Sequence, residues 1–270
     1  MANWTLDDIP WERFDASLVD PDILRVVKSA SLVEGNGADY ARYLCGIFHG
    51  DPSFHAIAVQ WGEEEVQHGK ALGRWAALAD PGFDFDEAKA LFSERYHLDL
   101  NAKTSTRGSR AGEMVARCVV ESGTSSYYSA LGDAAVEPVL KELCRRIAAD
   151  EFRHYKLFLD LAKQYDAADK LGVWGRMRVV AQRIAEAEDD ELALAYYTAN
   201  DDGRPYERQA AVDAYSKRAY GLYRPEHVNR VTAMILKTVG LPPAGRLSRV
   251  ASRLAWWLMR SRIPRGAEAV

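Results

Sequence analysis

No run of apolar residues in this 270-residue chain approaches the roughly 18–20 that a bilayer-crossing helix needs. The acidic start, with Asp7 and Asp8 and no basic stretch leading into an apolar core, does not read as a secretory signal, so a cytoplasmic location is the default expectation. Cysteine is scarce: Cys45, Cys118 and Cys144 lie far apart and form no C-x-x-C pair, which excludes a disulfide framework or a thiolate metal knuckle. They read as buried thiols in helices. Neither G-x-G-x-x-G nor G-x-x-x-x-G-K-[ST] occurs, so a built-in nucleotide site is unsupported. There is no excess of positive charge either. A net charge of −4 argues against a general nucleic-acid binder. Strand-like alternation is absent throughout, which leaves an all-α chain.

What is present is helical periodicity with clear breaks. After an irregular lead-in over residues 1–21, helices are expected near 21–48, 52–78, 107–131 and 137–165, with a long crossover over 79–106 that has short helical promise at 85–96. Two helices, a long link and two more helices is the connectivity of a ferritin-like bundle. Four further helical stretches follow, at about 172–199, 207–220, 225–239 and 244–261. The expected organisation is therefore a lead-in (1–21), a ferritin-like four-helix bundle (22–165) and additional C-terminal helices packed on it (166–270).

Within that frame two short strings answer each other. Glu65-Val66-Gln67-His68 and Glu151-Phe152-Arg153-His154 each place a carboxylate and an imidazole three residues apart, on one face of a helix. Each has a glutamate upstream at nearly the same distance: Glu34 lies 31 positions before Glu65, and Glu121 lies 30 before Glu151. The resulting four carboxylates and two imidazoles resemble the ligand set by which ferritin-like bundles hold two iron or manganese ions. A single E-x-x-H is weak evidence. Glu94-Arg95-Tyr96-His97 has the same form in the crossover and reads as surface or lid. The joint match of two strings, two upstream glutamates and matched separations carries the argument. The apolar neighbours Trp61 and Leu72 beside the first string, and Ile147, Phe158 and Leu161 beside the second, imply burial. Buried carboxylates need a compensating charge. Oxygen and imidazole donors suit iron or manganese without thiolate.

The flanking residues sharpen the resemblance. Asp150-Glu151-Phe152-Arg153-His154 is similar to the D-E-x-R-H block of soluble acyl-carrier-protein desaturases. Trp61 through Gly69 resembles their W-x-x-E-E-x-x-H-G block, and Glu121-Ser122-Gly123-Thr124 their E-x-x-T block. The resemblance covers about residues 22–165. It implies that Glu34, Glu65, His68, Glu121, Glu151 and His154 are iron ligands, and that Thr124 presents its hydroxyl to dioxygen. Glu64 and Asp150, each beside a ligand glutamate, are candidates to hold the N–H of a metal-bound histidine. The alternative for Thr124 is a bond back to its own helix. The chain is shorter than typical desaturases, and Val66-Gln67 replaces the basic residue usual before the first histidine. The same ligand pattern also resembles di-iron oxygenases that hydroxylate carbon or oxidise amines.

The resemblance thus implies a dioxygen-activating di-iron oxidoreductase, with two iron ions (manganese being the alternative) and O2 as co-substrate, acting on a fatty acyl thioester. The other readings are a di-iron oxygenase, or an iron-binding or ferroxidase protein without organic substrate. It also implies an external electron donor of ferredoxin type and an acyl carrier protein as partners, and leaves a homodimer open. Arg249 and Arg253, on a basic amphipathic C-terminal stretch, could receive an acidic carrier or lie on a membrane surface. Gly35, Gly37 and the run Ser122–Ser126 leave either space beside the metals or close helix packing. Tyr128 falls near the ligand face, where core packing is the simpler role.

Overall fold

In a computed structural model of the protein, residues 4–186, 190–200 and 203–263 are described. Among them the chain is all-α and ferritin-like, with further helices after the fourth long one. Three 3-10 turns lie before residue 19. The helices are α1 (Pro21–Glu34), α2 (Gly37–Ile47), α3 (Pro52–Ala79), α4 (Phe85–Arg95), α5 (Arg110–Ala134), α6 (Pro138–Asp169), α7 (Gly172–Ala185), α8 (Asp190–Ala199), α9 (Arg208–Gly221), α10 (Pro225–Val239) and α11 (Arg246–Ser261).

The helices begin where the sequence supplies caps. Asp20 accepts from the Asp22 and Ile23 amides at 2.8 and 3.0 Å, ahead of Pro21. Asp51 accepts from Phe54 N at 3.0 Å, ahead of Pro52. Glu137 caps α6 through the amides of Val139 and Leu140. Each satisfies donors that a helix start leaves open, with proline where its missing N–H costs nothing.

One helix expected over 21–48 is two. α1 stops at Glu34, the Asn36 amide tightens onto Val33 O at 3.1 Å, and α2 starts from Asn36 O. Two glycines bracket the break, and glycine is a weak helix former. The stretch expected at 172–199 is likewise divided: α7 ends at Ala185 and α8 begins at Asp190, with 187–189 outside the described residues.

The chain forms two compact units. The first comprises Met1–Lys103, Leu131–Cys144 and Glu188–Ala219, the second Thr104–Ala130, Arg145–Ala187 and Tyr220–Val270. In the first, α1 and α2 pack on α3, while α8 packs on α1 and α4. The lead-in is fastened to this unit. Phe14 meets Trp75 edge-on, Arg74 lies over the Trp11 ring, and Glu137 accepts from Trp75 Nε1 at 2.7 Å and from the Asp15 amide at 3.3 Å. In the second unit, Ser125 Oγ donates to Ala148 O at 3.0 Å, tying α5 to α6. Ser126 Oγ donates to His227 O and Tyr155 Oη to Met234 O, tying both helices to α10. Both α7 and α11 pack on α10. No described helix is long and apolar enough to cross a membrane.

Candidate metal centre

The first unit carries Glu34, Glu65 and His68. Glu34 is the last residue of α1, where the helix stops, and Glu65 and His68 sit a turn apart on α3. All three are buried. What brings α1 and α2 against α3 is a pair of glycine contacts. A Cβ on Gly69 would lie 2.4 Å from Gly35 N, and one on Gly37 would lie 2.4 Å from the Glu65 Cβ and 2.8 Å from Gly62 O. Of the two readings of Gly35 and Gly37, close packing holds and a cavity does not. These glycines let two backbones approach, and that approach sets Glu34 opposite His68. Around Gly123 the outcome differs, because a Cβ there would meet nothing within 4 Å.

In the second unit, Glu121 on α5 faces Glu151 and His154 on α6, and all three are buried. Within each triad the ligand atoms lie within 4.8 Å of one another. The geometry repeats closely: His68 Nδ1 stands 3.6 Å from Glu34 Oε2, and His154 Nδ1 stands 3.6 Å from Glu121 Oε2. At that separation the two atoms are not hydrogen-bonded. Two donor atoms each about 2.1 Å from one ion stand roughly 3–4 Å apart, so both gaps match a shared ion. The Nδ1 atom of each histidine and one oxygen of each of the four glutamates are buried without a hydrogen bond.

The electrostatics point the same way. Burial, and after it the charge of Glu151, pushes the Glu121 carboxyl above its ordinary range, while His154 pulls it down. So much negative charge in a low-dielectric interior calls for a counter-charge. The donors are carboxylate oxygen and imidazole nitrogen alone, which fits iron or manganese.

Thr124 Oγ1 lies 2.6 Å from Glu151 Oε2 and 3.3 Å from both Val120 O and Glu121 O. The hydroxyl therefore serves a triad carboxylate as well as its own helix. Asp150, buried, pairs with Arg153, and Glu64, also buried, accepts from Gln60 Nε2 at 3.3 Å. Glu94 and His97 are exposed, and α4 ends between them, so that third string is not on one helix face. Tyr128 is buried against Tyr127, ring centroids 5.1 Å apart, as core packing requires. Arg249 and Arg253 are exposed on α11.

Sequence reasoning missed two neighbours of the first triad. Trp4 stacks on His68, centroids 6.0 Å apart and planes 7° from parallel, and Gln67 Nε2 donates to its carbonyl at 3.0 Å. Trp4 thus covers one face of the imidazole. On α8, Glu191 is buried and accepts from the Tyr40 hydroxyl. Burial, with the charge of Glu34 adding, pushes its carboxyl up to about 8. The available signal was a lone glutamate opening the apolar run Leu192–Tyr197.

Residues 115–236 match a family model described as Rubrerythrin, a ferritin-like di-iron family. The matched stretch, somewhat under half of the chain, contains the second triad and runs on into α10. No curated protein matches the chain.

Proposed function

We propose that each triad holds one iron ion, and that the protein is a dioxygen-activating oxidoreductase acting on a fatty acyl thioester. The observation that carries the metal reading is the repeated one: a buried Glu and a buried Glu-x-x-His, with the same 3.6 Å gap between imidazole and carboxylate, in both units. The similarity of residues 115–236 to Rubrerythrin supports a di-iron redox protein. When bound, two irons supply the electrons and oxidising power for dioxygen chemistry.

The chain's own residues position and insulate that chemistry. Glu34, Glu65 and His68 hold one ion, and Glu121, Glu151 and His154 the other. Trp4 keeps water off His68. Thr124 orients Glu151 through its 2.6 Å hydrogen bond and turns its hydroxyl toward the reacting gas. Asp150 and Glu64 steady the ligand histidines from behind, the usual part of a second layer of carboxylates. The acyl-thioester assignment is supported by the desaturase-like sequence blocks at 61–69, 121–124 and 147–154, and by the open space beside Gly123. A ferredoxin-type donor then supplies electrons.

The Rubrerythrin match favours a second reading, an iron-binding redox protein with no organic substrate. Product analysis separates the two. Purified protein is given ferrous iron, labelled dioxygen, a reductant and acyl-carrier-protein thioesters, and the acyl chains are read by mass spectrometry. A loss of two hydrogens without label is expected. Label in the product would make the enzyme an oxygenase, and unchanged acyl chains beside sustained dioxygen consumption would overturn the substrate assignment in favour of the second reading.

A further inference from the structure

A surface helix ordinarily turns its apolar stripe inward. In the second unit, α11 does the reverse. Ser248 and Ser252 are its buried residues, while Leu247, Val250, Leu254, Trp257 and Leu258 face outward. Val250 and Trp257 are each 63% exposed and Leu254 is 55% exposed. At helical spacing these five fall within an arc of roughly 100°. Arg246, Arg249, Arg253 and Arg260 line one flank of that arc and Arg262 the other, and no acidic residue occurs between 246 and 263. The chain as a whole is acidic, at −4, so this positive charge is concentrated on one element. Trp174 on α7, which also packs on α10, is 83% exposed.

We propose that α11 is a docking surface for an anionic lipid bilayer, lying in the headgroup plane with its Leu/Val/Trp face inserted. The combination of residues selects this partner. An apolar arc edged by arginines matches the interfacial amphipathic helix, in which the cationic heads reach back to lipid phosphates while their stems cover apolar surface. Tryptophan suits the boundary between headgroup and acyl chain. A second copy of the chain is disfavoured. A two-fold contact on this face would set its arginines against their own symmetry mates. An acidic carrier protein would pair with the arginines but leave a large apolar arc uncovered, which proteins avoid.

The test is co-sedimentation of the full chain with phosphatidylcholine vesicles, with and without phosphatidylglycerol, alongside tryptophan fluorescence. Binding to the anionic vesicles alone is expected, with a blue-shifted emission and a loss as salt is raised. The double variant Leu254→Glu, Trp257→Glu should lose binding. Arg249→Glu with Arg253→Glu should weaken it by about tenfold or more. Circular dichroism matching the parent guards against unfolding, and the salt response of the unaltered chain tests the idea without any variant. Failure of the parent to bind anionic vesicles would overturn the proposal. So would a dimer that the Leu254→Glu, Trp257→Glu variant disrupts in the absence of vesicle binding, or, again without vesicle binding, capture of an acidic carrier protein that the Arg249→Glu, Arg253→Glu variant abolishes.

Discussion

A buried carboxylate persists only where something answers its charge, and each triad sets two of them around one imidazole. The six residues were legible in the sequence because an E-x-x-H on a helix fixes its own geometry, and because the pattern occurs twice with matched spacing. Trp4 and Glu191 were not legible. Trp4 reaches His68 from an irregular segment whose path no periodicity encodes, and Glu191 arrives on α8, far along the chain. Thr124 gives the test at this scale. Replacing it with valine keeps the shape and removes a hydrogen bond to a carboxylate, worth about 1.5–3 kcal/mol when the acceptor is charged. The metal-free Thr124→Val protein should melt at lower temperature, take up iron to the parent level and turn over more slowly. An iron-loaded Thr124→Val protein that turns over at the parent rate would remove its role toward dioxygen.

Element boundaries followed from caps and prolines, and most of the expected helices lie within a few residues of those observed. The break between α1 and α2 was hidden because Gly35 and Gly37 read equally as space or as contact. Only the partner helix decides, and Gly62 and Gly69 on α3 are that partner. Small residues at a crossing set the distance between helices, and here that distance places Glu34 against His68. In Gly69→Ala the new methyl has nowhere to go, since its nearest neighbour is backbone at 2.4 Å. Overpacking of this kind costs about 1–3 kcal/mol. A lowered melting temperature together with fewer irons per chain is expected from calorimetry and metal analysis. An unchanged melting temperature would mean that the crossing is loose and that another feature positions Glu34.

At the level of the whole molecule, the sequence conveyed the class, all-α and ferritin-like, from its breaks and its missing strands. It did not convey that the turn between α5 and α6 belongs to the same unit as α1–α3, because that grouping depends on long-range contacts such as Glu137 with Trp75. Metal binding and folding are linked wherever ligands come from separate elements. Both triads should hold iron, and Mössbauer spectroscopy of the iron-loaded chain, with the iron counted on the same sample, tests that most directly. Two irons per chain, each in an oxygen- and nitrogen-donor environment, are expected. One iron per chain or none, or iron held by sulfur donors, would overturn the assignment.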